Sequence, residues 1–254
     1  MPRHIEAWMD GVALSSIGQI LIQQVYEDPP QMEIITGERP GRYGERMIST
    51  TRKSLRVSIE AAIQELHDLS VRARIQERMA AWAMGRELRL SSRPERRLLV
   101  SCTAMPALSA VRNYTQTLRI EFTAHAVPYW EDAVPMQTAL RGTRGSGTLV
   151  IPGTVRTPVS LTVRPTDAAL TSFTATVGGA FIALSGLSVP KGESLSFERS
   201  EWDDLAILLG GASQLSHRSA QSADDLLARP GRADVAFTAN TACEVAFSTR
   251  GRWA

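Results

Sequence analysis

Apolar and polar residues alternate with period two along most of this chain. Leu55, Val57 and Ile59 alternate with Arg56, Ser58 and Glu60, and Leu118, Ile120 and Phe122 alternate with Thr117, Arg119, Glu121 and Thr123. Successive side chains of a strand point to opposite faces, so this rhythm predicts strands with one face in a core and one in solvent. The same reading places strands at 5–9, 19–26, 32–36 and 47–51. Asp10-Gly11 and Pro29-Pro30 mark turns between them, and a polar loop is expected over 38–44.

One segment changes period. Val71, Ile75, Met79 and Trp82 recur at helical spacing, with Asp68 or Ser70 as the N-cap and Gly85 where the chain should leave the helix. Arg72, Arg74, Glu77 and Arg78 fall mostly on the opposite side, as on a solvated face. A hairpin is expected next, with arms at 87–90 and 98–102 and a polar tip over 92–96, and then a long strand over 114–124.

Residues 168–190 carry no charge and are long enough to span a bilayer. Their pattern points elsewhere. Phe173, Ala175 and Val177 alternate with threonines, Gly178-Gly179 follows, and Ala180, Ile182 and Leu184 alternate in turn, which predicts a β-hairpin. The N-terminal stretch also lacks the cationic-then-apolar order of a signal peptide. No membrane span is expected.

Around Pro128-Tyr129-Trp130 and Pro135, and again at Gly142, Gly145 and Gly147, the strand rhythm breaks. This break predicts two domains, 1–130 and 148–254, joined by a linker over 131–147. Beyond it, strands are expected at 148–151, 159–163, 194–198, 205–209, 233–238 and 244–249 as well as in the Gly-Gly hairpin. Together they suit an antiparallel β-sandwich. The fold class expected is mainly β: an α+β N-terminal domain with one helix and an extended hairpin, then a β-sandwich.

Composition narrows the function classes. With 254 residues, 43% hydrophobic and 21% charged, the chain can bury a core and is unlike a disordered or disulfide-scaffold protein. A net charge of +2 does not mark a nucleic-acid binder. The basic residues are 26 arginines and only two lysines, Lys53 and Lys191, a bias in keeping with a GC-rich genome. Arginine also suits planar ion pairs at interfaces. Cys102 and Cys243 sit far apart in strand-like runs and read as free thiols, pointing to synthesis in a reducing compartment.

Sequence motifs for chemistry are absent. There is no phosphate loop, dinucleotide fingerprint, nucleophile elbow or HExxH. The glycine-rich run 142–147 lacks the lysine and following helix that a phosphate cradle needs. Asp203-Asp204 and Asp224-Asp225 read as turn residues, because adjacent carboxylates on a strand face opposite ways. Cys102 could serve as a nucleophile only with a base, and His125 is the nearest in sequence. His4, His67, His125 and His217 are scattered. Trp202 and Trp253 could stack on sugars, though core or edge positions are the ordinary reading. No catalytic, metal or cofactor site is assigned, and no cofactor is expected.

The order of features carries more than any one of them. A β-rich half contains a helix ending Trp82-Ala83-Met84-Gly85, then Leu88-Arg89-Leu90-Ser91-Ser92-Arg93-Pro94, the strand from Leu118 to Thr123, and Pro128-Tyr129-Trp130. A second β half ends Val245-Ala246-Phe247-Ser248-Thr249-Arg250-Gly251-Arg252-Trp253. Over nearly its full length this resembles the distal tail (Dit) proteins of long-tailed, non-contractile bacteriophages, including prophage-encoded ones.

The resemblance implies a structural virion protein at the tail tip, made in the bacterial host cytoplasm. It implies a hexameric ring built by the N-terminal domain, a β-barrel-like unit with a helix and an extended hairpin, with the major tail tube protein on one face and a hub or fibre protein on the other. It also implies a galectin-like C-terminal domain that can touch receptor-binding proteins. Neither membrane nor sequence-specific nucleic acid is among the implied partners. Sugar-binding galectins use a His, Asn, Arg, Trp and Glu cluster, whereas the second half here has only His217 and no HxNxR run. The alternatives are a carbohydrate-binding adhesion module resting on Trp202 and Trp253, and an envelope-degrading enzyme resting on the acidic pairs and Cys102.

Overall fold

The computed structural model describes residues 5–38, 45–64, 69–105 and 115–254. Most of the predicted 38–44 loop and the candidate cap Asp68 lie outside them. The chain divides into two units, Met1–Tyr129 and Trp130–Ala254. Both are built mainly of antiparallel β-strands, with one α-helix among the described residues.

The first unit contains β1 (Ala7–Met9), β2 (Val12–Ala13), β3 (Ile20–Asp28), β4 (Met32–Glu38), β5 (Glu45–Arg52) and β6 (Leu55–Gln64). The helix α1 (Leu69–Ala83), β7 (Glu87–Leu90), β8 (Arg93–Leu99), β9 (Ser101–Ala104) and β10 (Thr115–Ala124) follow. One sheet runs β2-β1-β7-β8 and a second β3-β6-β10-β9, while β4 and β5 form a separate two-stranded ribbon. The alternation read from sequence sets the second sheet: Val57, Ile59, Ile120 and Phe122 are fully buried, and Arg119 and Glu121 form an ion pair on the other face.

The helix lays Ile75, Met79, Trp82 and Ala83 into this core. The Trp82 indole N–H donates to the Val12 carbonyl at 2.7 Å, and its ring meets Phe122 edge-on with centroids 6.0 Å apart. Val71, expected in the buried stripe, is exposed, because it lies in the first turn of the helix, one turn before the first buried contact at Ile75.

Two local readings are corrected. The hairpin tip is Ser91-Ser92, and Pro94 lies inside β8, since Leu90 already pairs with Arg93. The expected arm over 98–102 divides at Val100: β8 ends at Leu99 and β9 joins the other sheet. Across the hairpin, Arg97 Nη1 of β8 donates to Glu87 at 2.8 Å, and within β7 Arg89 Nη2 donates to the same carboxylate at 2.5 Å. Burial opposes the charge on Glu87, but the two arginines outweigh it and hold the carboxyl below its ordinary range.

The second unit contains β11 (Trp130–Asp132), β12 (Met136–Ile151), β13 (Thr157–Pro165), β14 (Leu170–Val177), β15 (Ala180–Val189), β16 (Leu195–Arg199) and β17 (Leu205–Leu209). The remaining strands are β18 (Ala212–Ser213), β19 (Leu227–Ala228), β20 (Gly231–Thr249) and β21 (Arg252–Trp253). The predicted hairpin is present as β14–β15, with Gly178 and Gly179 both at positive φ in its turn.

The predicted 131–147 linker is instead mostly strand. Residues 136–151 form β12, paired with β20 at fifteen positions. The strands expected separately at 233–238 and 244–249 are likewise one strand. Both long strands turn a corner at the same place, where the register jumps between Gly142 and Arg144. Before the corner β20 pairs with β14, and after it with β13, so it passes from one layer to the other.

The core fills the space between these layers. Phe173 of β14 lies 5.8 Å from Phe197 of β16 and 6.2 Å from Phe237 of β20, ring centroid to ring centroid. The glycines serve the corner. Gly142 takes φ +117, and a Cβ at Gly145 would stand 2.8 Å from the Phe237 ring and 3.2 Å from Leu140.

Gly145→Val is therefore expected to destabilise the second unit by about 1–3 kcal/mol through overpacking. In a free linker the same change would stay within about 0.5 kcal/mol. Hydrogen exchange of the β20 amides measures the difference.

Candidate assembly surfaces

The β4–β5 ribbon breaks the usual separation of apolar from polar. Met32, Ile34, Ile35, Met47 and Ile48 are between 47% and 65% exposed, and among the described residues the two strands pair only with each other. Glu33 and Lys53 form an ion pair at 2.5 Å near the base, where Arg52 stacks on the Tyr129 ring at 4.6 Å. A two-stranded ribbon is marginal alone in water. Clustered exposed apolar side chains mark a surface that another molecule covers. The sequence reading found both strands but gave the ribbon no function. The available signal was the run Met32, Ile34, Ile35 on one arm with Met47, Ile48 on the other, in which apolar residues stand at adjacent positions.

The residues weighed for chemistry are placed as follows. Cys102 in β9 is half-buried, Cys243 is buried, and both are free; burial pushes both thiols up, the opposite of an activated nucleophile. His125 is exposed, and His217 Nδ1 lies 3.1 Å from the Ser185 carbonyl oxygen.

Three of the four aspartates are ion-pair partners as well as turn residues. Asp203 accepts two hydrogen bonds from Arg252, Asp225 two from Arg199, and Asp224 one from Arg218. Asp203 also holds a positive φ of 68°. Trp253 lies in β21 beside Trp130, with its indole N–H donating to Asp132 at 2.8 Å. Trp202, by contrast, is 77% exposed. Among the described residues no group of three or more His, Cys, Asp or Glu side chains is placed to hold a metal ion. Nor is any helix among them long and apolar enough to cross a membrane.

Arg252 is buried, and its Nε also donates to Glu131 at 3.2 Å. Burial opposes its charge, but Asp203 and Glu131 together raise its pKa above the ordinary value. Arg250 donates to the carbonyls of Asp132 and Ala133, and the Gly251 N–H to the Asp132 carboxylate. The segment 250–253 thus fastens β21 to β11.

Comparison with known proteins rests on structure, since no family model and no curated protein sequence matches the chain. The Dit protein of phage SPP1, a paradigm of the hub adsorption apparatus in phages that infect Gram-positive bacteria, superposes with a TM-score of 0.67. It is 12% identical, over 97% of this chain and 98% of that one. The chain has the fold of Dit. A chain of the phage P2 baseplate, in its activated conformation with calcium, matches at TM-score 0.54 and 9% identity, over 99% of this chain and 98% of its own. The strontium form gives 0.51 and 9%, over 97% of each chain. The Dit fold thus accounts for both units and for nearly all of the sequence.

Proposed function

We propose that this chain is a member of the Dit family and a structural protein of a phage tail tip. In this reading six copies close into a ring through the first unit. The ring joins the tail tube protein to a hub or fibre protein, and the second unit is galectin-like in shape and faces receptor-binding proteins. The protein is made in the host cytoplasm and works in the virion, without catalysis, cofactor or membrane.

The observation that carries this reading is the exposed apolar ribbon within a full-length Dit fold. A closed ring needs a head-to-tail contact in which one patch of each copy meets a different patch of the next. A ribbon that pairs with no other strand among the described residues supplies one such patch, and the neighbour would bury it.

The test is particle mass by native mass spectrometry, with negative-stain images, on the chain alone and with its tube and hub partners. The expected result is six-fold rings for the unaltered chain. Ile34→Glu with Met47→Glu should abolish ring formation while circular dichroism stays unchanged. A chain that stays monomeric with both partners present would overturn the proposal.

A further inference from the structure

Beside α1 the first unit carries a groove of about 290 Å³. Its floor is apolar: Ile17 and Ile75 are buried at its base, and Val71 is 42% exposed along its side. Gly18 leaves the floor open, since a Cβ there would stand 3.0 Å from Ile75. Arg74 and Arg78 form the rim. Val71, Arg74 and Arg78 are spaced i, i+3 and i+7 and so share one line along the helix. Both arginines are exposed, neither has an ion-pair partner among the described residues, and Arg78 reaches only the Ile17 carbonyl, at 3.5 Å.

The β4–β5 ribbon carries the complementary face. Side chains alternate along a strand, so Met32, Ile34 and Thr36 share one face of β4. Thr36 pairs in register with Met47, and Glu45 precedes Met47 by two, which puts both on that face. The Thr50 hydroxyl, opposite Ile34, lies 3.3 Å from the Met47 sulfur, so the face is continuous across the register jump. Three exposed apolar side chains are thus followed by an exposed carboxylate. The other charges do not cancel it. Arg46 and Glu33 fall on the opposite face, with Glu33 tied to Lys53, and Arg52 at the base is stacked on Tyr129.

From this match we infer that the groove beside α1 receives the ribbon of a second copy of the chain, on the face bearing Met32, Ile34 and Met47. The contact rests on the ring proposed above and supplies its second patch. A cavity of about 150 Å³ accepts a benzene ring, so the groove has room for two apolar side chains such as Ile34 and Met47. Glu45 then meets the rim, where an arginine fork can hold a carboxylate through two N–H groups. Each copy offers its ribbon to one neighbour and its groove to the other, the head-to-tail arrangement that closes a ring. An unrelated partner in the groove would leave the apolar ribbon in water, whereas a second copy covers both.

The test uses the full chain, alone and with its tube and hub partners, and reads contact and ring separately. p-Benzoylphenylalanine replaces the exposed Thr36, and ¹⁵N-labelled and unlabelled chains are mixed before irradiation. Crosslinked peptides of mixed isotope come from two copies. They are expected to join the ribbon to α1 or to residues 17–19. Arg74→Glu with Arg78→Glu should cut their yield about tenfold or more and abolish rings, because like charges across an interface repel. Glu45→Arg in that background should restore both, which a merely unfolded variant would not allow.

An absence of between-copy crosslinks, or crosslinks that fall elsewhere, would overturn the contact. Rings that survive the double reversal would overturn it too, while leaving the ring itself standing. Crosslinks into α1 without six-fold rings would do the opposite: the contact holds and the six-fold ring falls.

Discussion

Replacing Arg252 with alanine lowers the stability of the second unit by about 3–5 kcal/mol, because it removes the one buried cation that Asp203 and Glu131 share. The Arg252 side chain is 7% exposed, with Nη1 and Nη2 at 2.7 and 2.5 Å from the two Asp203 oxygens. Truncation removes the buried guanidinium from Glu131, which is buried, and from Asp203, which is half-buried. Arg141 is the control, since its pair with Glu244 is largely in solvent and Arg141→Ala costs at most about 1 kcal/mol. Hydrogen exchange of the β13 amides reports both opening free energies. Equal protection in the two variants would show that the buried pair contributes nothing special.

Phe122→Ala is the counterpart in the first unit. Phe122 is fully buried in β10, its neighbours in register are Val57 of β6 and Cys102 of β9, and its ring meets Trp82. Removing the ring opens a cavity that the helix cannot fill, because the Trp82 indole is tied to the Val12 carbonyl. The expected loss is about 3–5 kcal/mol. It should be read in the β6 and β10 amides and leave those of β13 unchanged. Phe122→Leu, which fills part of the space, should lose much less. Unchanged protection of β6 in Phe122→Ala would contradict the packing described.

How far the sequence could be read depends on what each signal encodes. The β14–β15 hairpin and the helix over 69–83 were legible because their signals are local: two alternating runs about a Gly-Gly turn, and a 3.6-residue period closed by Gly85. The glycines at 142–147 misled because a missing Cβ serves a flexible linker and a crowded corner equally well. What decides is Phe237, more than ninety positions away in the chain.

The 19-residue β20 was divided for the same reason, since its small and polar stretch at 239–242 marks the bend of a continuous strand. Asp203 and Asp225 could be placed in turns but not given their arginines, 49 and 26 positions distant, because pairing across a fold leaves no periodic trace. The exposed ribbon was hidden differently. Its adjacent apolar pairs, Ile34-Ile35 and Met47-Ile48, read equally well as strands buried on both faces, and only the structure shows them exposed, with no further strand among the described residues paired to the ribbon.

The corner shared by β12 and β20 also sets the order in which the second unit can be made. β12, β13 and β14 all leave the ribosome before β20, and it is β20 that pairs with each of them. Until then β12, β13 and β14 each carry an edge that β20 will cover, while the β14–β15 and β16–β17 hairpins can close locally. Contacts between residues so far apart in the chain make folding slow. They also leave apolar edges open during synthesis, the condition under which chains aggregate or engage chaperones.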